Sequence, residues 1–223
     1  KGSDDIDMMY SDNAGEIKWA CNAELIMYDT CKAGDSAGNG IAEQMVRECK
    51  AGVTACLSQA GLPHAYWAHA MEYWAVAWNV TKKRGLPAPW YNRYQEDFPG
   101  ELFPFGALVQ YHPYTSQKNK YKLPFAPVTK EGIFMGWHLN SKGEFKGDYK
   151  VCPLEDFQDM ALVQAQKKPK AIAAQRTSKI IMHPSWIYPL QERYLAENRA
   201  VPNSNPREFQ AAQAYGHGES SDR

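Results

Sequence analysis

The sequence contains no stretch approaching the ~18 consecutive apolar residues of a membrane-spanning helix, and no signal-peptide-like segment. No Cys-x-x-Cys pair occurs. The five cysteines (Cys21, Cys31, Cys49, Cys56 and Cys152) are odd in number, and none recurs with Cys or His at zinc-ligand spacing. A structural zinc site is therefore not expected, and the pattern suits a reducing compartment. Net charge is also lacking, because Lys+Arg and Asp+Glu both total 25. A globally basic nucleic-acid binder is disfavoured by that balance. Internal repeats are absent, and the first residue is Lys1 rather than Met, so the chain reads as a segment of something longer.

What is present is unevenly distributed. Lys82-Lys83-Arg84, Lys118 through Lys122 and Lys167-Lys168-Pro169-Lys170 are local basic clusters, and local field matters more for steering than the total. Residues 6–11 read as a short buried strand, residues 16–24 as a helix, and residues 25–28 as a second strand. Glycine, Asp and Ser then mark residues 29–39 as a loop. Ile41, Met45, Cys49, Val53 and Cys56/Leu57 recur at helical spacing, which predicts a helix over 40–60 with that set as its buried stripe. Gly61-Leu62-Pro63 ends it. A second helix is expected over 65–80, with Trp67, Met71, Trp74 and Trp78 as a core-facing stripe.

From about Phe103 the period changes to short apolar runs separated by Gly, Pro, Asn and Ser. These runs, and the turn-forming Asn140-Ser141-Lys142-Gly143, predict a small antiparallel β module. The fold class expected is α+β. Its organisation is residues 1–98 as a helical core with a small sheet, 99–157 as a β-barrel-like module, and 158–223 as a partly helical, mostly disordered tail. Residues 186–199 are expected to supply that tail's amphipathic helix.

Two acids stand out against this background. Asp12 lies in Ser11-Asp12-Asn13-Ala14-Gly15-Glu16, at the end of the first strand. Glu43 lies in Asn39-Gly40-Ile41-Ala42-Glu43, at the start of the long helix. Carboxylates at a strand end and a helix start can converge on one divalent cation, a geometry suited to metal-assisted phosphoryl transfer. Each motif is equally readable as turn or cap chemistry. Glu43, Arg47 and Lys50 share one helix face by spacing, as a DNA phosphate contact would need or as a simple Glu–Arg surface pair would produce. Asn39 is placed to cap or orient the helix start.

Taken in order, these motifs resemble the second half of the integrase catalytic core in copia-type retrotransposon polyproteins. Ala60-Gly61-Leu62-Pro63 with Tyr66-Trp67-Ala68 is similar to the family's post-catalytic helix pair. Pro104-Phe105-Gly106 and Gly132-Ile133-Phe134-Met135-Gly136-Trp137 are similar to its downstream elements, so the resemblance covers roughly residues 6–157. It implies a partial ribonuclease H-like, retroviral integrase-type core with a helical extension, and a metal-dependent strand transferase using Mg²⁺ or Mn²⁺. Asp12 would be the second catalytic Asp and Glu43 the closing Glu, both as metal ligands. The family's first Asp belongs to an earlier strand, before Lys1, so the fragment is expected to be inactive by itself. Gln44 stands where the family usually carries Arg, and Ala14 where Gly is common. The implied partners are DNA, as element ends and target, and further copies of the integrase, with no membrane. The implied location is the nucleus, after a cytoplasmic particle stage. A degenerate or domesticated nucleic-acid or protein interaction module without catalysis is the alternative. An unrelated α+β protein in which both motifs are turns is a third reading.

Overall fold

The computed structural model describes residues 6–11, 14–30, 40–82, 85–113, 128–162 and 171–199. Its first part is a strand–helix–strand unit: β1 (Met8–Ser11), α1 (Gly15–Ala23) and β2 (Met27–Thr30). β1 and β2 pair in parallel, with Met8 opposite Met27 and Ser11 opposite Thr30. The long helix α2 (Gly40–Ala60) follows, then a short 3₁₀ turn (His64–Tyr66), α3 (Trp67–Val80) and α4 (Pro89–Tyr94).

Five antiparallel strands form the second sheet: β3 (Leu108–Tyr111), β4 (Lys130–Leu139), β5 (Phe145–Pro153), β6 (Gln175–Thr177) and β7 (Ile180–Met182), in the order β6-β5-β4-β3-β7. A 3₁₀ turn (Leu154–Phe157) follows β5, and α5 (Gln191–Arg199) is the last described helix. The fold is thus α+β, as expected. The expected hairpin turn joins β4 to β5, where Asn140 Oδ1 accepts from the backbone N–H groups of Lys142 and Glu144, both at 2.9 Å.

Both faces of the larger sheet are buried, which explains the unbroken apolar run in β4. Ile133 and Met135 join Leu57, Ala60, Leu62, Tyr66, Ala70 and Cys152 in one cluster beneath the helices. Phe134 and Trp137 join Val109, Tyr111, Tyr149 and Val151 in a second cluster on the other face. The sheet's two edge strands, β6 and β7, are separated only by Ser178 and Lys179. His112 and Lys179 meet at that corner, where the His112 N–H donates to the Lys179 carbonyl at 3.3 Å. No ladder joins β6 to β7 among the described residues, so the sheet is strongly coiled but not a closed barrel.

Three expectations change here. The first strand is not buried: Met8 is 58% exposed and Tyr10 45%. On α3 the core face is Ala70, Tyr73, Ala77 and Val80, continuing Tyr66 of the preceding turn, not the tryptophan stripe, and Trp67 is 56% exposed. Tyr73 explains the rotation. Its ring stacks on Trp137 (centroids 5.1 Å apart) and its hydroxyl donates to the Phe103 carbonyl at 3.1 Å, seating α3 by that side.

The stretch assigned to a tail also departs from expectation. Besides α5, which falls within the helix expected over 186–199, it holds β6 and β7, and Met160, Leu162, Ile172 and Leu190 are buried in the first cluster. Strands of only three residues gave no periodicity to read. Arg193 Nη1 donates to the Phe157 carbonyl at 2.6 Å and Asn198 Nδ2 to the Leu162 carbonyl at 2.8 Å, so α5 is fixed by polar contacts. Residues 163–170 and 200–223 lie outside the described residues.

Candidate functional site

The parallel β1–α1–β2 unit places two strand ends side by side. Ser11, the last residue of β1, is buried, and its hydroxyl lies 3.2 Å from the Tyr28 hydroxyl on β2. Asp12 follows Ser11 directly in the chain, but Asp12 and Asn39 both lie outside the described residues. The convergence of Asp12 with Glu43 and the capping role of Asn39 therefore lie outside the described residues as well.

Glu43 occupies the first turn of α2, where the helix dipole favours a carboxylate. Gly40 to Ala60 folds as one uninterrupted helix, so Glu43, Arg47 and Lys50 fall on a common face. All three are exposed. None of the three side chains makes a hydrogen bond or ion pair among the described residues, so the i,i+4 Glu43–Arg47 surface pair does not form there. The adjoining i,i+4 pair does form, with Gln44 Nε2 donating to Glu48 Oε1 at 3.1 Å. An unpaired, exposed carboxylate beside two unpaired cations can bind a hard cation and an anionic ligand at once.

The N-terminal half of α2 stands clear of the core. The predicted stripe is buried only at its far end: Ile41 is 90% exposed and Met45 43%, whereas Leu57 is 2% exposed. At 1.5 Å per residue, Glu43 sits about 21 Å along the helix from Leu57. The helical period identified the stripe correctly but could not say how much of it would be covered.

One acid was missed in the sequence, because its neighbours read as loop. Asp29 lies at the carboxyl end of β2, opposite Tyr10 of β1, and its Oδ1 accepts from the Thr30 N–H at 2.8 Å. Its signal was the strand's true span, Met27–Thr30, two residues beyond the expected end. Among the described residues no group of three His, Cys, Asp or Glu side chains is arranged to hold a metal ion. The Glu43 carboxylate, without a side-chain partner among the described residues, has the oxygen donors that a hard cation prefers.

No protein-family model matches the chain, and no curated protein matches it.

Proposed function

We propose that this chain is a segment of a copia-type retrotransposon integrase, with a partial ribonuclease H-like core acting in metal-dependent DNA strand transfer. One observation carries the reading. Two parallel strands joined by a helix are followed by α2, and the carboxylate in its first turn is exposed and has no partner among the described residues. In the chain, Asp12 comes next after the first of those strands. An acid after a strand and an acid at the start of the following helix are the arrangement this chemistry uses.

In this reading Asp12 and Glu43 hold Mg²⁺ or Mn²⁺, with Asn39 orienting the start of α2. When bound, the cation supplies activation of an oxygen nucleophile and neutralisation of charge at phosphorus. The chain's own residues do the rest. Glu43 presents its carboxylate at the helix's positive end, and Arg47 and Lys50 hold DNA phosphates along the same face. A further acid from an upstream strand completes the set, so strand transfer belongs to a longer chain. The same reading carries self-association and action in the nucleus.

The test is Mn²⁺ titration of this chain, followed by electron paramagnetic resonance, with Asp12→Asn and Glu43→Gln as variants. Each variant is expected to weaken Mn²⁺ binding, with melting temperature unchanged. In a chain extended upstream, Glu43→Gln is expected to abolish Mg²⁺-dependent strand transfer. Unaltered Mn²⁺ affinity in both variants rules the metal site out.

A second reading is an integrase-derived interaction module without catalysis. It is favoured by the burial pattern: before α2, the described residues bury only Cys21 and Ser11, while the helices and larger sheet hold both clusters. It predicts DNA or protein binding that ignores Glu43→Gln.

A further inference from the structure

A group of charged side chains lies outside the α2 face, on the rim where α3 meets the larger sheet. Lys150 of β5 and Arg176 of β6 are register partners across an antiparallel ladder, so their side chains emerge on the same face. Like charges directly opposite each other destabilise a sheet. Lys150 also pairs with Gly136 of β4, which has no side chain, and Tyr73 of α3 lies over that glycine. Trp137, Tyr149 and Thr177 form the neighbouring row, pointing into the second cluster. His138 therefore projects on the Lys150 side.

α3 closes the rim from above. Glu72 reaches across to Lys150 Nζ at 2.5 Å, and its side chain is 64% exposed. Burial, opposed by Glu72 and reinforced by Lys150, lowers the pKa of His69. Burial, then Arg176 and Lys150, lower that of His138, with Asp148 and Glu72 acting the other way. Both histidines thus feel Lys150, and His138 feels Arg176 as well. The charged and titratable groups facing this rim are Lys150, Arg176, His138 and His69 against Glu72 and Asp148.

We infer that this rim is a phosphate-binding site for the DNA backbone, in which a phosphodiester takes the place of the Glu72 carboxylate on Lys150 and bridges to Arg176. An anion between Lys150 and Arg176 turns an unfavourable cross-strand pair into a favourable one. Glu72 is well placed to yield, because an ion pair with one largely exposed partner contributes little stability. The neutral imidazoles of His138 and His69 add N–H donors to phosphate oxygens. This inference rests on DNA as the partner proposed above, but on neither Asp12 nor Glu43.

The experiment is fluorescence-anisotropy titration of a short DNA duplex with the full chain, in chelator, over a series of salt concentrations. Arg176→Gln and Lys150→Gln are each expected to weaken binding and reduce the salt slope by about one. Glu72→Gln, which removes the competing carboxylate, is expected to tighten binding several-fold, a gain that loss of folding cannot mimic. Unchanged affinity and slope in Arg176→Gln, or no gain in Glu72→Gln, overturns the inference. Competition by inorganic phosphate without any effect of these variants on DNA, or tighter binding of an RNA duplex of the same sequence, overturns the assignment to DNA. Because no metal is present, loss of these effects and loss of Glu43-dependent Mn²⁺ binding are separate results. Either proposal can fail while the other stands.

Discussion

Gly106→Ala tests whether the corner of the α2–α3 hairpin is seated on the sheet as closely as the structure shows. Gly106 has φ +80°, and a Cβ added there would stand 2.2 Å from Ala60 Cβ and 2.6 Å from Ala60 Cα. Non-bonded carbons settle at about 3.5–4.0 Å, so the loop and the end of α2 must part by more than about 1 Å. The loop cannot retreat easily. Gly106 N–H donates to the Phe134 carbonyl, and Phe134 N–H to the Ala107 carbonyl, both at 2.9 Å. Placing an L side chain in the left-handed region costs about 1–2 kcal/mol. Overpacking adds about 1–3 kcal/mol. The sum, about 2–5 kcal/mol, converts to a fall in Tm of roughly 5–15 °C for a chain of this size. Circular dichroism melting and urea denaturation measure it. Gly40→Ala is the control, because a Cβ there meets nothing within 4 Å. A Gly106→Ala protein melting within about 2 °C of the parent, too little for either cost, refutes the close approach.

Two further outcomes follow from single hydrogen bonds. Tyr73→Phe keeps the ring on Trp137 but leaves the Phe103 carbonyl without its donor; a loss of about 1 kcal/mol in urea titration is expected. No change would mean that water replaces the hydroxyl at no cost. Glu197 is held below its ordinary pKa of 4.5, first by its hydrogen bond from Arg193 and also by the Leu162 N–H. A depressed carboxylate contributes stability that is present above its unfolded pKa and lost as pH falls through its folded one. Melting temperature should therefore decline below about pH 4.5, the ordinary value for Glu, and Glu197→Gln should make that decline shallower. An identical acid limb in the variant would show that the contact does not persist in solution.

Legibility in the sequence followed burial. The span of α2 was readable to the residue because its apolar stripe runs at helical period, and β4 was readable because burial on both faces gives a continuous apolar run. The tryptophans of α3 misled because hydrophobicity alone does not choose between adjacent faces of a helix. Tyr73 decides that choice through Trp137, a contact spanning two distant parts of the chain. β6 and β7 were invisible because three-residue strands of sequence Gln175-Arg176-Thr177 and Ile180-Ile181-Met182 have no room for a period. At the candidate site, Glu43 was legible from its place after Asn39-Gly40. The freedom of Arg47 and Lys50 was not, because spacing alone cannot distinguish a formed ion pair from an available one.

Gly52 lies where α2 leaves the core, beside Val53, which packs against the first cluster. By propensity it weakens the helix by roughly 1 kcal/mol relative to Ala. A Cβ there would fall 1.9 Å from Trp74 Nε1, so the glycine makes room for the Trp74 ring of α3 to lie across the helix. Trp74 in turn packs on Trp78, with centroids 5.0 Å apart. This contact lies between the buried end of α2 at Leu57 and the unpaired face bearing Glu43, Arg47 and Lys50. It supports the helix where the core no longer does. Among the described residues Glu43 has no side-chain hydrogen bond or ion pair, so its orientation follows from how α2 is seated, by Leu57 and Ala60 in the core and by Gly52 against Trp74.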